Sequence, residues 1–266
     1  MSIMGYTAGM IGFFLKKSFF DGWDNLFSIL FLNLGFIAAA AFGILLPEAL
    51  GLSGAAFFAF VAVALAAASV WASTCVYALK GVSDFGSFRL RELGGFLRQG
   101  LVPGLQVGAI VVAGYFVLSV GLPFYIGLGG MLGALAAGLV FWCAAVAAFA
   151  LQYYIPLRAR LGGGLRKNLR KSFIIFFDNP GFSIFLFLYS AVNIGLSLVL
   201  AFLLPGLAGV ALALNVALRL RLYKYDWLEE HPEANRREVP WDELLTEDRD
   251  LVGKRTLKGM FFPWKE

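Results

Sequence analysis

Three stretches of this chain are nearly free of charge, and they decide what it can become. No Asp, Glu, Lys or Arg occurs from Gln99 to Leu157 or from Asn179 to Leu218, and between Asn25 and Leu79 the one charged residue is Glu48. A charge in hydrocarbon has no water to solvate it, and backbone polar groups there must be satisfied within the segment. Long charge-free runs therefore read as membrane-spanning helices of about 20 residues each. Hydrophobic residues make up 60% of the 266, and a soluble domain of that size has no core large enough to hide them.

Proline and glycine divide the apolar mass into about six spans arranged as three hairpins. The expected spans are 25–46, 53–79, 102–126, 130–157, 181–204 and 206–222, giving an all-α, polytopic membrane helix bundle over residues 1–222. The last span is short, and Arg219 and Arg221 are expected to snorkel from it to the interface; a re-entrant segment is the alternative there. Ile3–Leu15 is too short to span, and Lys16 and Lys17 follow its apolar run rather than preceding it as in a secretory signal. It reads as an interfacial helix lying on the inner leaflet.

With these spans every Lys and Arg falls on one face. Lys16 and Lys17 precede the first span; Lys80, Arg89, Arg91 and Arg98 follow the second; Arg158, Arg160, Arg166, Lys167, Arg170 and Lys171 follow the fourth; the rest lie from Arg219 onward. The opposite turns carry only Glu48. The positive-inside rule then puts both termini in the cytoplasm. The net charge of +5 is thus an orientation signal and an attraction to anionic lipid, not a nucleic-acid footprint.

The hairpin recurs. Pro47, Pro123 and Pro205 stand at near-equal spacing in the outer turns, and Lys16-Lys17-Ser18-Phe19 returns as Arg170-Lys171-Ser172-Phe173. The cytoplasmic approaches alternate aromatic and basic residues, as in Phe85, Phe88, Arg89, Arg91, Phe96 and Arg98, and read as amphipathic elbow helices. Asn179-Pro180-Gly181 should break the chain where the third elbow turns into the membrane, because the residue before proline avoids the helical region. Small residues four apart, Gly129, Gly133 and Ala137 and again Gly209, Ala213 and Ala217, are suited to close helix packing within the chain, with dimerisation as the alternative.

Nothing in the sequence points to catalysis, a cofactor or a metal. His231 is the single histidine, Cys75 and Cys143 sit in apolar stretches, and no phosphate-binding glycine motif is present. Asp21 and Asp24 lie beside Lys16 and Lys17, where helix capping and charge balance account for them. The polar residues in the spans are few. Gln106, Asn193 and Asn215 are the candidates to line a solute cavity, against the simpler use of hydrogen bonding between helices. The segment 223–266 changes to a charged cytoplasmic tail. Its aromatic residues Trp241, Phe261, Phe262 and Trp264 are the partner-docking candidates, with packing back on the bundle as the alternative.

Three features together resemble a known family: the paired-span plan with basic elbows, Leu165-Arg166-Lys167-Asn168 followed by Phe176-Phe177-Asp178-Asn179-Pro180, and the basic aromatic return Leu222-Tyr223-Lys224-Tyr225. Over roughly residues 10–228 the chain resembles the YesL-like family of small bacterial integral membrane proteins; the tail lies outside the pattern. Members are often encoded near carbohydrate ABC importers, so the resemblance implies a bacterial inner membrane as the setting and a non-enzymatic accessory or scaffold role beside ABC permease subunits in carbohydrate transport. A small-solute transporter or channel built on the hairpin repeat is the alternative.

Overall fold

The computed structural model describes residues 3–236 and 238–255, and every regular element among them is helical. Six helices are long and apolar enough to cross a membrane: α2 (Leu26–Ala49), α3 (Gly54–Ser83), α4 (Leu90–Gly127), α5 (Gly130–Leu161), α7 (Pro180–Val199) and α8 (Gly206–Glu230). They are preceded by α1 (Ile3–Asp24), joined midway by α6 (Leu165–Asp178), and followed by the short α9 (Trp241–Leu244) and α10 (Thr246–Val252). The polytopic helix bundle read from the sequence is therefore the fold.

The π segments show where proline acts. In α2 the residues Ala41–Leu45 and in α4 the residues Val117–Gly121 form π turns, and each is followed directly by Leu-Pro. A proline lacks its N–H, and its ring collides with the carbonyl four residues back. The helix widens to pass it, and the Leu46 and Leu122 N–H groups reach back to the carbonyls of Ala41 and Val117. The third hairpin departs from this. The helix α7 stops at Val199, and the chain turns through Ala201 and Phe202, both at positive φ, before Leu204-Pro205.

Two helices make the centre. The most buried span is α8, which places Ala208, Ala211, Leu212, Val216 and Leu220 in the core. Against α3 lies a glycine stripe on α4: a Cβ added at Gly100 would come 2.9 Å from the Thr74 nitrogen, one at Gly104 2.5 Å from the Val70 Cα, and one at Gly108 2.8 Å from the Ser69 hydroxyl. Only glycine lets these backbones meet. Of the stripe Gly129, Gly133 and Ala137, Gly129 departs from expectation. Gly129 is a turn residue with φ 65, and Gly133 packs on the Tyr125 carbonyl of its own hairpin. Ala213 and Ala217 are buried as expected, 1% and 0% exposed.

Four readings need correction. The first helix is not confined to Ile3–Leu15 on a surface. It runs on to Asp24 and buries Met10, Phe13, Phe14, Lys17 and Phe20, one stripe at helical spacing, in the bundle. The Phe14 ring meets Phe182, Phe185 and Tyr189 edge to face. The second approach forms no separate elbow: after a short turn at Leu90–Glu92 the helix continues from Leu93 through Pro103 into the third span. The sixth helix is unbroken to Glu230, so Arg219 and Arg221 lie inside it, and Arg221 is buried rather than snorkelling. Finally, Trp241 is not an open docking side chain. It is 6% exposed, and with Val239, Leu245 and Val252 it packs the tail segment 239–255 onto its own bundle. Phe261, Phe262 and Trp264 lie outside the described residues.

Candidate functional site

The amides of Asn33, Asn193, Asn215 and Gln106 each bond inside the fold, although the buried Asn215 Oδ1 has no partner among the described residues. Asn33 of α2 donates to the carbonyls of Leu203 (2.9 Å) and Pro205 (3.0 Å) and accepts from the Ala208 N–H (2.9 Å), which ties the first span to the turn before α8. Asn215 donates to the Val76 carbonyl of α3 at 2.9 Å. Asn193 donates to the Tyr189 carbonyl one turn back on its own helix. Gln106 accepts from the Tyr154 hydroxyl at 2.5 Å. Gln106, Asn193 and Asn215 thus do not converge, and none of them lines any of the three pockets described here.

The pocket at the apolar end holds about 450 Å³ and lies between α2, α3 and the 201–207 segment. Its walls include Phe36, Ile44, Leu65 and Phe202, and the amide of Asn33 beside it is already committed to the backbone. This end offers apolar contact and no chemistry.

The opposite end collects the charges. Asp84, at the C-terminus of α3, accepts from Arg160 (2.9 Å) and Arg219 (3.0 Å), and Arg219 also grips Asp248 of α10 at 2.8 Å. Arg255 pairs with Asp24, and the Lys16 ammonium donates to the Gly253 carbonyl at 2.7 Å. These contacts fix the tail to α1 and α8, and α8 in turn to α3. Beneath them Lys17, fully buried, forms an ion pair with Asp21 at 2.8 Å and stands 3.3 Å above the Phe85 ring. Burial pushes the Asp21 carboxyl above its ordinary value against the pull of Lys17, and pushes the Lys17 ammonium below its own. Charge balance therefore accounts for Asp21 and Asp24, as expected, but neither caps a helix. A groove of about 520 Å³ between α1 and the tail is lined by Lys16, Arg249, Asp250 and Lys254.

The third pocket, about 430 Å³, is built on the Asn179 break. Asn179 has φ −144 and ψ 61, so α6 ends and α7 begins at an angle, as the following proline demands. Arg221 of α8 reaches this break. Its guanidinium donates to the Asn179 side-chain oxygen at 2.7 Å, meets the Met10 sulfur at 3.3 Å, and lies 4.0 Å from the centre of the Phe182 ring. Among the described residues it has no carboxylate in ion-pair range, and its Nε has no hydrogen-bond partner. The neighbouring cation Lys224 does have one: Asp178, at 2.7 Å, which also accepts from Tyr225 and faces Arg236 at 3.8 Å. Burial would raise the Asp178 carboxyl, but the hydrogen bond and charge of Lys224, with Tyr225 and Asn179, outweigh it and hold it below its ordinary value. The pocket thus faces three cations and one carboxylate, among aromatic walls from Phe177, Phe182 and Trp241.

Sequence reasoning found the Asn179-Pro180 break and the burial problem of Arg221 but not their meeting, which depends on the depth at which α8 passes α7. Among the described residues no group of three or more His, Cys, Asp or Glu is placed to hold a metal ion, and Cys75 (buried) and Cys143 (exposed) are unpaired. Comparison of the chain with protein-family models, curated proteins and solved structures finds no match.

Proposed function

We propose that this protein is a non-enzymatic accessory or scaffold subunit of a bacterial inner-membrane complex, with its charged end in the cytoplasm. The observation that carries the reading is the division of labour among polar groups. Asn33, Asn215 and Gln106 hydrogen-bond to neighbouring segments and Asn193 bonds back on its own helix, so these polar groups support packing and do not gather along a shared path. The charged end is a platform braced by the tail, and the face of α6 with Arg166, Lys167 and Arg170 remains exposed on it. The one-sided distribution of Lys and Arg supports the orientation. The resemblance to the YesL-like family supports the kind of complex: the permease subunits of a carbohydrate ABC importer.

The test is gentle affinity purification from native membranes, with co-purifying subunits identified by mass spectrometry. Stoichiometric permease subunits are expected, and charge reversal of Arg166, Lys167 and Arg170 together should release them. Recovery of the chain alone, combined with solute flux through it in liposomes, would overturn the accessory reading in favour of a transporter.

A further inference from the structure

We propose that the pocket at the α6–α7 break is a binding site for the head group of an anionic phospholipid. The proposal starts from a buried charge that has no direct counter-ion among the described residues. Arg221 is 3% exposed, yet among the described residues no carboxylate lies in ion-pair range of it: Asp178 acts on it only from farther off, and its direct contacts, Asn179, Met10 and the Phe182 and Trp241 rings, provide dipoles and π faces. A buried cation is normally paired, because desolvation costs several kcal/mol per ion (order of magnitude) that only an opposite charge returns. The nearby carboxylate, Asp178, is already committed to Lys224, Tyr225 and Arg236. An anion entering the 430 Å³ pocket would supply the missing counter-charge.

Two further features favour phosphate carried on a lipid. The pocket sits at the N-terminus of α7, a helix of 20 residues, whose first N–H groups and dipole favour a negative group. It also sits where a basic amphipathic helix turns into a membrane span, which is head-group depth. Phe177 on its rim is 66% exposed and is placed to meet acyl chains while Arg221 and Lys224 meet the phosphate. The site requires only that α7 and α8 cross the bilayer; it does not depend on the accessory role.

The experiment uses the full chain in neutral detergent micelles, titrated with phosphatidylglycerol and separately with phosphatidylcholine, with binding followed by native mass spectrometry and thermal shift. Phosphatidylglycerol should bind with saturation and raise the melting temperature more than phosphatidylcholine. Arg221→Gln should weaken that binding by roughly five- to tenfold, in line with the loss of one cation near a lipid surface. Arg236→Gln, at a residue whose side chain is 73% exposed and so safe for folding, should weaken it by a smaller factor. Lys167→Gln on the exposed face of α6 should leave it unchanged. Equal loss in all three variants would reduce the effect to general surface charge, and no loss in the Arg221 and Arg236 variants would place the lipid elsewhere; either overturns the site. Competition by millimolar inorganic phosphate would overturn the lipid assignment in favour of a soluble phosphorylated ligand.

Discussion

The buried pair Lys17–Asp21 gives the sharpest test of how the charged end is held. Lys17 is 0% exposed, and its ammonium has the Asp21 carboxylate at 2.8 Å and the Phe85 ring at 3.3 Å. Asp21→Asn removes the charge and keeps the shape. Breaking one side of a buried pair generally costs about 3–5 kcal/mol, because the remaining ion has been desolvated for nothing. A second argument sets the ceiling. Lys17 can escape by losing its proton, and for a lysine whose ordinary value is 10.5 that costs at most about 5 kcal/mol at pH 7, at 1.36 kcal/mol per pH unit. The two figures agree. The sign of the pH dependence follows. In the variant the folded-state value of Lys17 lies below its unfolded value, so the unfolded chain binds more protons, and stability rises with pH up to the unfolded value. The deficit of Asp21→Asn should therefore shrink as pH rises, by at most about 1.4 kcal/mol per pH unit, until pH reaches the folded-state value of Lys17 in the parent, which is itself below the ordinary one. The apolar double variant Lys17→Met/Asp21→Leu should stand close to the parent or above it. Reversible unfolding in mixed micelles of rising dodecyl sulfate fraction, followed by tryptophan fluorescence at several pH values, measures all of this. A pH-independent deficit for Asp21→Asn, or a double variant as unstable as the single one, would refute the reasoning.

Other outcomes follow from the same contacts. Gly104→Ala places a Cβ 2.5 Å from the Val70 backbone and should cost about 1–3 kcal/mol by forcing α3 and α4 apart, whereas Gly114→Ala, with open space around it, should be neutral or slightly stabilising in the same unfolding assay. Asn33→Leu loses three hydrogen bonds, worth about 0.6 kcal/mol each between helices in a membrane, so a loss near 2 kcal/mol is expected. Gly206→Ala should cost more, since φ is +63 and its Cβ would stand 2.2 Å from the Asn33 amide. Asp178 titrates below its ordinary value of 3.8, so its contribution is complete above about pH 4 and disappears as pH falls through the folded-state value. Acid titration of thermal stability should show this step, and Asp178→Asn should remove it.

The third hairpin shows how far a repeat in sequence carries into structure. Leu-Pro stands at 46–47, 122–123 and 204–205, and the first two make the same π turn because each proline lies within a continuing helix. At 204–205 the helix has already ended at Val199, and Asn33 from the first span takes the carbonyls of Leu203 and Pro205. The local chemistry is shared; the neighbour that receives the freed backbone groups is not.

By itself the sequence determined the class of fold, the number of spans and the separation of charged from apolar ends. These follow from solvation, which acts residue by residue: hydrocarbon admits no unpaired charge and no open backbone, whatever packs beside it. The Asn179-Pro180 break was legible for a similar reason, since proline restricts its own neighbour. The tertiary structure decided everything that depends on who meets whom. It set Gly100, Gly104 and Gly108 as the close seam between α3 and α4, folded Trp241 back under the bundle, and brought Arg221 to Asn179 with no carboxylate in ion-pair range among the described residues. Packing partners are set by the relative depth and rotation of helices far apart in the chain, and an apolar sequence specifies these only through the sum of many small contacts.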